Sequence, residues 1–346
     1  MQGGDDQRVL VVNAGSTSLK LSVVAADGSS ETVESIAAAP RGVVAVAHRV
    51  VHGGARFREP VVVDDAVEEE LRALAELAPL HNGPAIAALD NARRVLPSVP
   101  HVAVFDTAFH ATLPDEASTY AVPRRWHDEW GIRRYGFHGL SVQWASEQVS
   151  VPRLVVCHLG GGCSVTAVQD GRSVDTTMGY SPLDGVPMAT RSGAIDPEIP
   201  LHLLRAGLLR LEELEHALEH ESGLLGVSGR SGRLEELQGS DDAASRLAVA
   251  VFAHRVAGAV ATMTAALGGL DALVFTAGIG ENSASARADI CGRLAFLGVE
   301  LDPDRNTSAR PDADVGVHGA PVRVVVLKAR EDVVAARAAR ERLARG

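Results

Sequence analysis

Cysteine is scarce in this chain, which limits the kinds of protein it can be. The three cysteines are Cys157, Cys163 and Cys291. Their count is odd and the C-x2-C pattern of zinc sites is missing, so a reducing cytoplasm is a simpler setting than a disulfide scaffold. The first residues, MQGGDDQR, are polar and acidic, which predicts no secretory signal peptide.

The chain also has fewer basic than acidic residues, 33 Lys and Arg against 44 Asp and Glu. The formal net charge is −11, which disfavours a general nucleic-acid-binding protein, since such proteins are normally basic. Anionic substrates are still compatible, because a site can be locally positive on an acidic protein. The longest apolar stretch, residues 243–269, contains Arg246, His254 and Arg255. These charges favour a buried helix over a membrane span.

Two common nucleotide motifs are absent. The chain has neither the G-x-x-x-x-G-K-[ST] of a P-loop nor the G-x-G-x-x-G of a dinucleotide fold. Its 346 residues, 46% of them hydrophobic, are enough for two domains with substantial cores. Strand-like segments alternate with predicted helices at 64–78, 83–96, 210–219 and 331–345, which indicates an α/β protein.

An internal repeat gives the first indication of architecture. VLVVNAGSTSLKLSVVAADGS (9–29) and LVVCHLGGGCSVTAVQDGRS (154–173) each combine an apolar strand, a glycine turn, an alternating strand and a D-G turn. The repeat predicts a fold built twice from one unit, although short hairpins also resemble one another by chance. A third glycine cluster, LVFTAGIGENS (273–283), follows a strand and precedes a predicted helix. Glycine turns expose backbone N–H groups, so three of them suggest a nucleotide held from several sides.

Several charged residues lie in polar, glycine-rich loops. Arg49 lies in AHRVVHGG and Arg191 in MATRSGAIDPEI. Either arginine alone would normally be a surface residue, but phosphoryl transfer needs positive charge of this kind. Asp106, in VFDTAFH, ends an apolar strand, where α/β proteins bind ligands, and a helix cap is the alternative. Glu331 begins the last predicted helix, either as a first-turn acid or as a support for Mg²⁺.

Histidines offer further candidates. His138, in RRYGFHGLS, lies between glycines in a loop that is rich in arginine. His48 and His52 have the i, i+4 spacing of a metal pair, but their strand-like setting argues against zinc.

Taken in order along the chain, these motifs resemble the acetate kinases. The matching segments are VVNAGSTSLK, HRVVHGG, PLHNGPA, VFDTAFH, RRYGFHG, CHLGGGCSV, DTTMGYSPLDGVPMATRSGAIDP, SGLLGVSG and VFTAGIGENS. The resemblance extends from about residue 9 to about residue 335. It implies an α/β, two-domain, duplicated actin-like (ribonuclease H-like) ATPase fold with an active-site cleft between the domains. The expected domains are 1–108 plus 332–346 for acyl group and phosphate, and 109–331 for nucleotide binding and dimerisation.

The resemblance also implies a role for individual residues. Catalysis is assigned to Arg49, Asp106, His138 and Arg191. The acyl site is assigned to Arg49, Val51, Leu80, Phe137 and Pro182. Nucleotide binding is assigned to Asn13, Ser16, Ser18, Lys20, His158, Gly160, Gly161, Gly162, Gly278, Ile279, Gly280 and Asn282. The metal, Mg²⁺ or Mn²⁺, is assigned to Asn13 and Glu331.

The implied reaction is direct in-line transfer from ATP to acetate, giving acetyl phosphate and ADP. The implied enzyme is a cytoplasmic homodimer that binds neither nucleic acid nor membranes. Propionate or another short carboxylate is an alternative acceptor, and a non-catalytic nucleotide-binding regulator is an alternative function. The chain departs from the family pattern at Gly161, which replaces an asparagine, and at Cys163, which replaces a serine. Gly161 removes an amide near the phosphates and so bears on ATP affinity.

Overall fold

A computed structural model describes residues 7–14, 19–40, 42–74 and 79–345, with the backbone alone at 79–81. The strands are β1 Arg8–Ala14, β2 Leu19–Val24, β3 Ser30–Thr32, β4 Val43–Val50, β5 Val61–Val62, β6 His101–Phe105, β7 Arg153–Leu159, β8 Cys163–Gln169, β9 Arg172–Thr176, β10 Ala272–Thr276, β11 Ala313–Asp314 and β12 Arg323–Val326. The helices are α1 Asp65–Leu74, α2 Pro79–Val95, α3 Asp115–Ser118, α4 Arg124–Trp130, α5 Gly139–Gln148, α6 Glu198–Arg205, α7 Leu211–His220, α8 Gly223–Ser228, α9 Leu234–Gln238, α10 Ala243–Leu267, α11 Ala277–Asn282, α12 Ala284–Gly292, α13 Pro303–Ser308 and α14 Glu331–Ala344.

The chain divides into two compact units. The first unit contains Met1–Ala111, Phe137–Trp144 and Arg330–Gly346, and the second contains Thr112–Gly136 and Ala145–Ala329. The sequence placed all of 109–331 in the second domain, whereas Phe137–Trp144 groups with the first unit. Local contacts explain the difference. The Phe137 ring meets His52 edge-on at 5.3 Å, and the Gly139 N–H donates to the Asp106 carbonyl at 3.0 Å.

The first unit is built on a six-stranded mixed sheet in the order β3-β2-β1-β4-β6-β5. Strands β1, β4 and β6 are parallel, and β2, β3 and β5 run antiparallel to their neighbours. Strand β1 is apolar on both faces, as expected for a strand that is covered on both sides. Val9 and Val11 pack with residues of α14, whereas Leu10 and Val12 pack with Ala92 of α2.

The second unit repeats this topology. Its six-stranded sheet has the order β9-β8-β7-β10-β12-β11, with β7, β10 and β12 parallel and the other three strands antiparallel to their neighbours. Strands β7 to β12, taken in chain order, hold the places that β1 to β6 hold in the first sheet, so that β7 matches β1, β10 matches β4 and β12 matches β6. The internal repeat predicted from the two hairpins is therefore confirmed as a duplicated sheet.

The predicted helices are present with shifted ends. Helix α1 covers the prediction over 64–78 up to Leu74, and residues 75–78 lie outside the described part of the chain. Helix α2 begins at Pro79, before the predicted start at residue 83, since proline suits a first helical turn where its missing N–H has no intrahelical partner. Helices α7 and α14 lie within one residue of their predicted limits.

Helix α10 is the long apolar helix of the second unit. Its length and composition alone would suffice to cross a membrane. Ten of its residues are nevertheless buried within the unit, where it packs against β7, β8, α8 and α12. The Asp242 side chain caps its first turn, and Gly268 ends it in the left-handed conformation. The buried helix expected over 243–269 is confirmed.

Candidate active site

The carboxyl ends of the parallel strands in the first unit carry polar side chains. Asn13 lies near the end of β1 and pairs in register with Arg49 near the end of β4. Asp106 follows the last residue of β6 directly. Because parallel strands end at one edge of a sheet, these three side chains meet there, as α/β proteins arrange their ligand sites.

Arg49 is the centre of this cluster. Its Nε donates to Asp106 Oδ1 at 2.8 Å and its Nη2 to Asp106 Oδ2 at 2.6 Å, which is a two-pronged pair. Its Nη1 donates to Glu331 Oε2 at 2.8 Å and to Asn13 Oδ1 at 3.2 Å. Asn13 Nδ2 also donates to Glu331 Oε2 at 3.4 Å. Four predicted site residues from four chain segments therefore form one hydrogen-bonded group.

This group carries an excess of negative charge in a buried place. Asp106 is 1% exposed, and Arg49 and Glu331 are each 15% exposed. Burial alone would lower the pKa of the Arg49 guanidinium, but the charges of Asp106 and Glu331 outweigh it and raise that pKa above its usual value. Burial raises the pKa of the Glu331 carboxyl, as does Asp106, while Arg49 and Lys20 lower it. The two carboxylates outnumber the Arg49 guanidinium within the hydrogen-bonded group, and the nearby Lys20 ammonium is a second positive charge that acts on Glu331.

His138 lies next to this group in a constrained turn. Its backbone has φ of 59°, a conformation that is uncommon outside glycine and clusters at functional sites. The residues on both sides are anchored. His110 Nε2 donates to the Phe137 carbonyl at 2.9 Å, and burial lowers the pKa of His110 to about 4, which keeps its ring neutral. A side chain on Gly139 would lie 2.1 Å from the Asp106 carbonyl oxygen, so only glycine fits there.

The segments of the first unit that carry residues predicted for the acyl site are connected by contacts of His52. The His52 N–H donates to Asn82 Oδ1 and Asn82 Nδ2 donates to the His52 carbonyl, both at 3.1 Å. This pairing joins the segment that carries Val51 to α2, which contains Leu80. The Phe137 ring lies against His52.

Other predicted residues of this unit are only partly described. Lys20 pairs in register with Asn13 on the first hairpin. The Leu80 side chain and residues Ser16 and Ser18 lie outside the described residues.

In the second unit two glycine loops lie side by side. His158 in β7 pairs in register with Thr276 in β10, so the loops that follow the two strands are neighbours. A side chain on Gly160 would lie 3.5 Å from Ala277 Cβ and 3.7 Å from Gly278 N. Ala277 itself has φ of 66°, a second constrained backbone position at a predicted site loop.

These loops open into a cavity of about 1360 Å³. Five predicted nucleotide residues line it: Gly160, Gly161, Gly278, Ile279 and Asn282. His158, Gly162 and Gly280 lie nearby but are not part of its described lining. Gly162 accepts a hydrogen bond from the Gly160 N–H, and Gly280 packs against Phe275. The cavity is large enough for a nucleotide.

Arg191 lies on a loop of the second unit that also reaches the glycine hairpin. The Ala189 N–H of this loop donates to the Gly161 carbonyl at 3.4 Å. Arg191 Nε forms an ion pair with Glu219 Oε2 at 3.2 Å, and Nη1 donates to the carbonyl of the predicted acyl-site residue Pro182 at 3.4 Å. Burial lowers the pKa of Arg191, and the charge of Glu219 opposes that shift.

Some residues that organise the site were not assigned from the sequence. They are His52, Asn82, His110, Glu219 and Arg287. His52 lies in the motif HRVVHGG and Asn82 in PLHNGPA, and membership of these motifs is the sequence signal that could have identified them. Arg287 is 2% exposed and donates to Asn306, to Gly280 and to the Glu281 carbonyl, which fixes one wall of the cavity. Nothing in its local pattern distinguishes it from a surface arginine.

Comparison with known proteins shows the family to which the chain belongs. The model of the acetokinase family matches residues 31–337. An acetate kinase from Protochlamydia amoebophila (strain UWE25) is 42% identical over 306 residues, which cover 86% of this chain and 77% of that protein.

Solved structures extend the likeness to the whole fold. A propionate kinase from Francisella tularensis subsp. tularensis SCHU S4 has a TM-score of 0.86 at 33% identity, covering 96% of this chain and 98% of the other. Porphyromonas gingivalis acetate kinase has a TM-score of 0.86 at 29% identity, covering 97% and 100%. The fold is therefore the two-domain α/β, actin-like kinase fold, and the chain belongs to the acetokinase family.

Proposed function

We propose that this protein is an acetate kinase that transfers the γ-phosphoryl group of ATP to acetate. The observation that carries the proposal is the cluster of Asn13, Arg49, Asp106 and Glu331, supported by membership of the acetokinase family. The relative from P. amoebophila bears the name acetate kinase, as do other relatives at 43–47% identity. The cavity beside Gly160 and Gly278 is where we place ATP.

The chemistry requires charge and positioning more than proton transfer. A carboxylate oxygen of acetate bonds to the γ-phosphorus while the bond from that phosphorus to the bridging oxygen of ADP breaks. No general base is needed, because acetate is ionised at neutral pH. Arg49 and Arg191 stabilise charge on the phosphoryl oxygens, and His138 donates a hydrogen bond to them. Since Asp106 holds two nitrogens of Arg49, we assign Asp106 to orienting that guanidinium.

The residues of the first cluster suit Mg²⁺. Asn13 and Glu331 offer the oxygen ligands that Mg²⁺ prefers, and the hydrogen-bonded group contains two carboxylates, Asp106 and Glu331. Among the described residues no group of three His, Cys, Asp or Glu side chains surrounds a metal position. Mg²⁺ does not need such a group, because it is usually held by one or two carboxylates together with substrate phosphates and water. Bound Mg²⁺ would neutralise phosphate charge, and Mn²⁺ could replace it.

The acyl pocket favours a short carboxylate. We assign the methyl group to Val51, Leu80, Phe137 and Pro182, the apolar residues that the family resemblance gives for it. One additional methylene changes binding by only ~1–3 kcal/mol, so propionate is a plausible second substrate. The propionate kinase from F. tularensis shares this fold, which supports testing both acids.

A non-catalytic regulator is the competing hypothesis. A regulator would not need Arg49, Asp106 and Glu331 in one hydrogen-bonded group, and their presence favours an enzyme. The test is acyl-phosphate formation from ATP and Mg²⁺ with acetate, propionate, butyrate and a set of sugars. We expect the highest kcat/KM with acetate. Turnover of a sugar but of no short carboxylate would refute the proposal, and absence of all turnover would favour the regulator.

We also infer that the protein is a cytoplasmic homodimer. Helix α6 buries none of its residues, and apolar side chains on and after it are exposed, among them Leu201 at 54% and Leu208 at 62%. A second copy would cover such a face. The buried free thiols are consistent with a reducing compartment. Light scattering should show a dimer that Leu201→Glu weakens, whereas Phe296→Glu, at another exposed apolar residue, should leave it intact. A monomeric wild-type protein would contradict the inference.

A further inference from the structure

The ion pair between Arg191 and Glu219 suggests a role for a carboxylate outside the assigned site. Arg191 Nε lies 3.2 Å from Glu219 Oε2, and the two side chains are 16% and 21% exposed. We propose that Glu219 is a positioning residue that orients the Arg191 guanidinium for phosphoryl transfer. This inference rests on the proposed function, in which Arg191 contacts the transferring group.

The backbone around this pair is already fixed by other bonds. Thr190 Oγ1 donates to the Glu219 carbonyl at 2.8 Å, and the Ser192 N–H donates to the Leu218 carbonyl at 3.1 Å. The end of α7 and the loop that carries Arg191 are therefore joined on both sides of Arg191 by two hydrogen bonds that accept at main-chain carbonyls of α7. The Glu219 carboxylate does not build this frame, so its contact with Nε acts on the arginine side chain.

Holding Nε determines which nitrogens can face a substrate. A guanidinium is planar, and fixing its Nε edge sets the directions of Nη1 and Nη2. Nη1 then lies 3.4 Å from the carbonyl of Pro182, which places it beside the predicted acyl pocket. Without Glu219 the last torsions of the arginine are freed, and orientation lost in this way lowers the rate of transfer even when the charge is kept.

Glu219 differs from the other acids of its helix. Glu212 and Glu215 are exposed on α7, whereas Glu219 is half-buried against Arg191. Glu215 therefore provides a matched control, since Glu215→Gln removes the same charge from the same helix without touching Arg191. Glu219→Gln keeps the size of the side chain and leaves the Glu219 carbonyl that accepts from Thr190.

The experiment compares Glu219→Gln, Glu215→Gln, Arg191→Ala and the double variant Glu219→Gln/Arg191→Ala in the full chain with ATP, Mg²⁺ and acetate. Loss of the ion pair that orients a reacting group predicts that Glu219→Gln lowers kcat/KM for acetate by roughly 10- to 100-fold. KM for ATP should stay within about twofold of the wild-type value, since the Arg191 guanidinium is proposed to contact the acyl and phosphoryl atoms. Glu215→Gln should match wild type.

The double variant separates positioning from a structural effect. If Glu219 acts through Arg191, Glu219→Gln should cause no further loss once Arg191→Ala is present. An equal loss in both backgrounds, or wild-type kinetics for Glu219→Gln, would overturn the inference. Glu219→Asp keeps the charge but is one methylene shorter, so its kcat/KM for acetate should lie between those of wild type and Glu219→Gln. A kcat/KM at or below that of Glu219→Gln would also count against the inference. Wild-type turnover by Arg191→Ala would instead refute the proposed role of Arg191 itself.

Discussion

Replacing Gly161 by asparagine should tighten ATP binding. Gly161 lies in the wall of the cavity at the turn between β7 and β8, where the acetate kinase pattern has an asparagine. A Cβ atom at this position would meet no atom within 4 Å apart from its chain neighbours, and the backbone is not in the left-handed region. The first carbon of the new side chain therefore introduces neither a clash nor backbone strain.

The size of the effect follows from one added hydrogen bond. An amide donor facing a phosphate oxygen contributes about 1.5–3 kcal/mol, as hydrogen bonds to charged groups do. Ordering the new side chain costs about 0.5–1.5 kcal/mol. The net gain of about 1–2 kcal/mol predicts a KM for ATP that is roughly 5- to 30-fold lower. The KM for acetate should not change, because the substituted position lies at the glycine hairpin and not in the acyl pocket.

The assay measures initial rates against ATP at saturating acetate, together with calorimetric binding of ADP. Gly161→Ala is the matched control, since it fills the same space without a donor and should leave KM for ATP near wild type. If Gly161→Asn and Gly161→Ala gave the same KM, the missing amide would not limit ATP affinity. A higher KM for the asparagine variant would show that the open space is needed by the nucleotide itself.

Three further predictions concern the first unit. Asp106→Asn removes the charge from the two-pronged pair with Arg49, and loss of one electrostatic group at a reacting centre lowers kcat by roughly 100- to 1000-fold, so kcat should fall about 100-fold or more; wild-type kcat would contradict this. Gly139→Ala places a carbon 2.1 Å from the Asp106 carbonyl and should lower both activity and melting temperature, whereas unchanged values would contradict that contact. Burial lowers the pKa of His48 to about 3, below its unfolded value of 6.5, so its contribution to stability is full above pH 6.5 and declines towards pH 3. From pH 7.5 to 5 the free energy of unfolding in urea should therefore fall by about 2 kcal/mol more in wild type than in His48→Asn, in which His110 still contributes, and parallel curves for the two proteins would refute this.

The strands and the glycine turns were predictable from the sequence because local chemistry determines them. Apolar runs such as VLVV and LVVC must be buried on both faces, and the residues that end them must lie at a sheet edge. That rule indicates Asp106, whereas Arg49 is indicated by its polar, glycine-rich loop. The place of Glu331, 318 residues beyond Asn13, follows only from family resemblance or from the structure.

Residues that orient the site were harder to predict because their sequence surroundings are ordinary. Glu219 stands in LEELEHALEH among several similar acids, and only the fold shows which of them meets Arg191. His110 and Asn82 act through backbone groups of distant loops, so neither their type nor their spacing indicates a partner. The partners of these three residues are determined by tertiary contacts and can be read only from the structure.

The duplicated sheets also show how one topology supports two kinds of chemistry. Strand β4 ends with Arg49, and its counterpart β10 leads into Ala277 and Gly278. Strand β6 is followed by Asp106, and its counterpart β12 by Leu327. The first sheet thus presents charged side chains at its carboxyl edge, whereas the second presents glycine turns beside a cavity, with Glu281 Oε1 accepting from the Ala277 N–H at 3.0 Å. Charged side chains suit a reacting carboxylate, a phosphoryl group and a metal, whereas glycine turns leave the room that a nucleotide needs.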